Sequence, residues 1–127
     1  MCLDIAGVKQ TPFRKTNVRW KVMVKNTHNG LSSPVAFMDW EVGQTYTAKH
    51  NCAGVFSTKS QDIGFHVLTT RVSARKLCSH WNSIYNNDHV VVKTIVSKFV
   101  GAGVFGTYKA AYQSETWKKC KIVEIAR

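Results

Sequence analysis

The amino-acid sequence predicts an α+β domain, with one main amphipathic helix packed on a mostly antiparallel, twisted sheet of about 5–6 strands. Three observations carry that reading. "VRWKVMVK" at Val18–Lys25 alternates apolar and polar residues, and apolar side chains recur at helical spacing from Ala74 to Tyr85. "VVVKTIVSKFV" at 90–100 is β-branched and apolar on both faces, which suits a central strand.

In Val18–Lys25, the residues Val18, Trp20, Val22 and Val24 share one face and Arg19, Lys21, Met23 and Lys25 the other, as in a half-buried strand. "THNGLSSP" follows, where Asn29-Gly30 is a strong turn dipeptide. "VAFMDWEV" gives a second strand that Gly43 ends, and "QTYTA" a third. Residues 49–62 are polar and mixed and read as a long loop, a mobile flap.

"GFHVLTT" then supplies a strand at Phe65–Leu68, and Thr69 or Thr70 offers an N-cap oxygen to the helix after it. Across 71–85, Ala74, Leu77, Cys78, Trp81, Ile84 and Tyr85 form one helical stripe, with Arg71, Arg75, Lys76 and His80 off it. "NND" stops the helix. After the central strand, Gly101, Gly103 and Gly106 imply a bend, a bulge or a close backbone approach. A final alternating strand, "TWKKCKIVEIA", sets Trp117, Val123 and Ile125 opposite Lys118, Cys120 and Ile122.

At 127 residues the chain reads as a single domain over 1–127, with 1–17 as a basic N-terminal arm carrying Lys9, Arg14 and Lys15. A composition of 44% hydrophobic and 20% charged residues is that of a globular protein, not a disordered one. Eighteen Lys and Arg against seven Asp and Glu give a net charge of +11, which draws polyanions by long-range, salt-sensitive attraction. No apolar run approaches the ~20 residues that span a bilayer, so no membrane insertion is expected. Residues 1–10 lack the basic and apolar regions of a signal peptide, and the expected location is cytoplasmic or nuclear.

Cys2, Cys52, Cys78 and Cys120 contain no CxxC pair; an even count permits two disulfides, but a domain of this size does not need them and free thiols are favoured, with Cys78 a core residue on the helix stripe. None of the five histidines stands at i, i+4 from another on one element, and no metal site is expected. The acids Asp39, Glu41, Asp62, Asp88, Glu115 and Glu124 are scattered, and GxSxG, HExxH and GxxxxGK[ST] are absent. No catalytic residue and no cofactor are assigned on this reading. His66, alternating against Phe65 and Val67, faces away from them toward solvent, a cleft or the flap.

"GFHVLTT", the helix with Ala74, and "HVVVKTIV" resemble the strand–Thr/Ser–helix–strand core of the ADP-ribosyltransferase superfamily, shared by tRNA 2′-phosphotransferases and poly-ADP-ribose polymerases. That resemblance implies an NAD-dependent enzyme with His28 and His66 in a ligand cleft. The His-Gly that grips NAD in such folds is here His28, Asn29, Gly30, and no clear catalytic Glu follows. Over about 100 residues, "RWKVMVKN", "NGLSSP", "WEVGQTYTA", "GFHVLTT" and "VVVKTIVSKFV" are similar to a small uncharacterised domain of phage, giant-virus and some animal proteins. It implies no activity.

The expectation that follows is a small, basic, non-enzymatic binding module for an anionic partner, RNA or DNA first. Arg19, Lys21, Arg71, Arg75, Lys118, Lys119 and Lys121 are its anion-binding residues, interleaved with Trp20 and Trp117 for base stacking. The alternatives are the NAD-dependent ADP-ribosyltransferase-like enzyme and an interaction protein with no small-molecule ligand.

Overall fold

The structure, a computed structural model, describes residues 11–25, 30–32, 39–48, 65–85, 88–106 and 111–126. Its strands are β1 (Val18–Lys25), β2 (Leu31–Ser32), β3 (Asp39–Trp40), β4 (Thr45–Thr47), β5 (Phe65–Leu68), β6 (His89–Gly106) and β7 (Ala111–Ala126). The helix α1 (Arg71–Ile84) lies between β5 and β6.

All strand pairings are antiparallel. β1 pairs along one side with β6 and along the other with β5 and β2, while β7 lies between β6 on one side and β5 and β4 on the other. The circuit β1–β6–β7–β5 returns to β1 where Trp20 stands opposite Leu68, so the sheet closes on itself as a small barrel.

Closure gives the strands two buried faces. Neighbouring residues go to different cores: Met23, Val67 and Val92 to one, Val22, Leu68 and Val91 to the other. The first core fills the barrel with Val96, Trp117, Cys120 and Ile122, where Trp40 meets Tyr46 and Phe65 at ring-centroid distances of 4.5 and 4.9 Å. The second seats Ala74, Leu77 and Trp81 of α1 on the outer face. Truncating a side chain buried as fully as Leu77 to Ala costs roughly 2–5 kcal/mol.

The Thr70 hydroxyl caps α1, accepting from the Ser73 N–H at 3.1 Å. At the other end the chain leaves the helix at Tyr85, so Ile84 and Tyr85, expected on the buried stripe, are exposed. Asn82 ties this end to β6, its Oδ1 accepting from the His89 N–H at 2.7 Å. Cys78, also on the stripe, is only half-buried, its thiol donating to the His89 carbonyl at 3.2 Å.

Among the described residues the sheet has seven strands rather than about 5–6. β2 lies in the stretch read as a turn, and two residues are too few to show an alternation. β6 passes through the glycine-rich stretch without ending, and β7 starts at Ala111, before the predicted final strand. Two irregularities accommodate these long strands. Phe99 faces Trp117 but Gly101 faces Thr116, and Lys93 faces Glu124 while Thr94 faces Ile122. The extra residue on β7 at the second, Val123, resets the alternation. Trp117, Cys120 and Ile122 are all buried in the first core, while Val123 and Ile125, at and beyond the reset, are exposed. Gly43, at φ +91°, makes the turn into β4, a conformation that favours glycine, and its N–H donates to the Ile122 carbonyl at 2.8 Å. The flap at 49–62 and residues 1–10 of the arm lie outside the described residues.

Candidate functional site

Arg19 and Lys21, expected to meet an anion, stand on the inner face of β1 with Met23. The period-two pattern of this strand is real, but the barrel buries its basic face as well as its apolar one. Arg19 is 0% exposed and paired with Glu115, also 0% exposed. Its Nε–H donates to Glu115 Oε1, Nη1 donates to the carbonyls of Thr16 and Val18 at 2.7 and 2.8 Å, and Nη2 donates to the Arg14 carbonyl at 3.0 Å and Glu115 Oε2 at 3.5 Å. All five guanidinium N–H groups are thereby used. Glu115 also accepts from the Trp117 indole N–H at 3.0 Å and the Phe13 backbone N–H at 2.7 Å. The backbone of Phe13, Arg14, Thr16 and Val18 is thereby tied to the buried Arg19–Glu115 pair.

Lys21 is 8% exposed and donates to the His66 carbonyl at 2.8 Å. Burial lowers its pKa, against a smaller opposing effect from Cys120. Burial in turn pushes the Cys120 thiol up to about 11. His66 keeps partial solvent contact, but its Nε2 is buried and meets no hydrogen-bond partner among the described residues. Burial, then the charge of Lys21, pushes its imidazole down to about 3. His28, the other half of the expected ligand cleft, lies outside the described residues.

The remaining basic residues are brought together by register. On the outer face, α1 covers the cross-strand row Val22, Val91, Ala126. Two residues along, the row is Trp20, Lys93, Glu124, and beyond it come Val18, Ile95, Lys121, Thr45 and then Ser97, Lys119, Thr47. Successive rows are roughly 7 Å apart. Ile95, Thr45 and Thr47 are exposed, and Lys119 and Lys121 are half-buried. Lys118 is exposed beside Lys119.

Where this face meets the start of α1, Trp20, Arg71, Lys93, Glu124, Ile125 and Ala126 line a pocket of about 460 Å³. Arg71 is the first residue of the helix, whose first turn holds no acid. A cation there opposes the helix dipole by about 0.3–1 kcal/mol, a cost that an anion in the pocket would offset. Arg75 is exposed one turn further along. Lys93 and Glu124 form a loose, exposed ion pair at 3.9 Å, of a kind worth little in stability.

No family model, curated protein or solved structure matches this chain. The site therefore rests on its own geometry. It joins Arg71, Lys119 and Lys121 of the expected set to Lys93 and Glu124, which were not in it, and leaves out Arg19 and Lys21. Trp117, expected to stack on a base, is core, whereas Trp20 lines the pocket. A signal for Lys93 existed in "VVVKTIVSKFV", where Lys93, Ile95 and Ser97 share a face less apolar than that of Val92, Thr94 and Val96. Among the described residues no three His, Cys, Asp or Glu side chains converge to hold a metal ion, and no helix is long and apolar enough to cross a membrane.

Proposed function

We propose that the protein is a non-enzymatic nucleic-acid-binding module, and that its contact surface is the outer face of β1, β6, β7 and β4 together with the pocket at the start of α1. The observation that carries this reading is the register that sets Lys93, Lys121 and Lys119 in successive rows beside exposed threonines. Lysines spaced along strands follow a phosphate backbone, and hydroxyls from Thr45, Thr47 and Ser97 add neutral hydrogen bonds to phosphate or ribose oxygens. Glu124 is the one acid in these rows, and the net charge of +11 draws the partner in from a distance.

Trp20 contributes a different chemistry. An indole beside cations stacks on an unpaired base, and such stacking is worth about 1–3 kcal/mol per base. The expected behaviour is affinity that falls steeply with salt, because each phosphate neutralised releases counterions. Titration of single-stranded RNA and duplex DNA at two salt concentrations tests the reading, and failure to bind either at low salt contradicts it.

A further inference from the structure

We propose that the pocket takes one unpaired base of a single-stranded nucleic acid, and that Glu124 selects a base carrying an amino group. This rests on the nucleic-acid reading and narrows it to a substrate class and a specificity residue.

Trp20, Lys93 and Glu124 occupy directly opposed positions on three consecutive strands. Adjacent strands lie about 4.8 Å apart, so the row spans roughly 10 Å, room for a flat ring over Trp20 with its far edge toward Glu124. The volume of about 460 Å³ falls in the range of small-molecule sites. Trp40, Trp81 and Trp117 are buried at 3%, 9% and 5% exposure, which leaves Trp20 as the tryptophan that lines the groove. Arg71 and Lys93 flank the ring position and suit the phosphate of the same nucleotide.

Glu124 is the residue a purely electrostatic surface would not place here. Its side chain is 62% exposed and only loosely paired, so its oxygens are available to a ligand. An ionised carboxylate accepts hydrogen bonds and donates none. It therefore suits the amino groups of cytosine, adenine or guanine, whereas uracil and thymine present a carbonyl oxygen at the position of the cytosine amine. In a duplex these edges are paired and the ring is stacked, so an unpaired base is required.

The test compares oligocytidylate and oligouridylate of equal length, two pyrimidines that differ at this edge, with binding followed by tryptophan fluorescence and the signal assigned by Trp20→Phe. The expected result is quenching, with oligocytidylate bound about fivefold tighter or more, and loss of the preference in Glu124→Gln, whose amide both donates and accepts. Equal binding of the two oligomers overturns the inference while leaving the nucleic-acid reading in place. So does a Glu124→Gln variant that binds both more tightly to the same degree, the behaviour of a carboxylate that merely repels phosphate. Absence of binding to either at low salt overturns both.

Discussion

Arg19 and Glu115 meet inside the barrel, and the guanidinium has a partner for each of its five N–H groups. Trp117 packs under the same guanidinium, with Arg19 Cζ 5.5 Å from its ring centroid. The pair joins β1 to β7, which are not themselves adjacent strands, and gathers the carbonyls of Arg14, Thr16 and Val18 on the way.

Arg19→Lys is therefore not conservative, since an ammonium brings three donors and no planar fork. Removing one partner of a buried pair strands the other charge and costs about 3–5 kcal/mol. Urea unfolding of Arg19→Met and of Glu115→Gln is expected to show losses of that order and Arg19→Lys a smaller one, with the double variant Arg19→Met/Glu115→Leu less destabilised than the sum of the corresponding single changes.

Lys21 points to the opposite outcome two residues away on the same inner face. Its pKa is lowered from 10.5 by burial, so the unfolded chain holds this proton more tightly than the fold does. The resulting penalty is fully present at pH below the folded value and fades as pH rises through 10.5. Lys21→Met removes it and leaves only the His66 carbonyl short of a donor. We expect Lys21→Met to raise the midpoint of thermal unfolding at pH 7, with the advantage shrinking toward about pH 11.

His66 predicts a dependence on acid. Its imidazole titrates near 3 in the fold against 6.5 ordinarily, so between those values the unfolded chain binds a proton that the fold does not. Stability is then present above pH 6.5 and lost as pH falls toward 3, by up to roughly 1.4 kcal/mol per pH unit. His66→Leu should unfold with a flatter dependence on pH across this window, and denaturant midpoints for parent and variant at half-unit steps measure the difference.

Local elements were legible in the sequence because their signals are local. The alternation of Val18–Lys25, the stripe from Ala74 to Trp81 and the Thr70 cap each depend on residues within a few positions of one another. Barrel closure depends on Trp20 facing Leu68, and the destination of Arg19 on a carboxylate 96 residues away, and no short window contains either pair. The same blindness affects the site. Arg71, Lys119 and Lys121 are visible as basic residues, but their alignment with Lys93 and Trp20 comes from the pairing of β1, β6 and β7, and the reset at Val123 brings Glu124 onto the same face as Lys121.

The most direct test of the nucleic-acid reading is the slope of log affinity against log salt for a single-stranded RNA, measured on the parent and on two double variants. Lys119→Gln/Lys121→Gln removes two cations from the proposed face, and Lys25→Gln/Lys76→Gln removes two exposed cations from outside its rows. Each phosphate contact on a single strand contributes about 0.7 to the slope. The face variant is expected to bind more weakly, with a slope shallower by about 1.4, while the control pair leaves the slope unchanged. Equal slopes for the two variants would contradict the account.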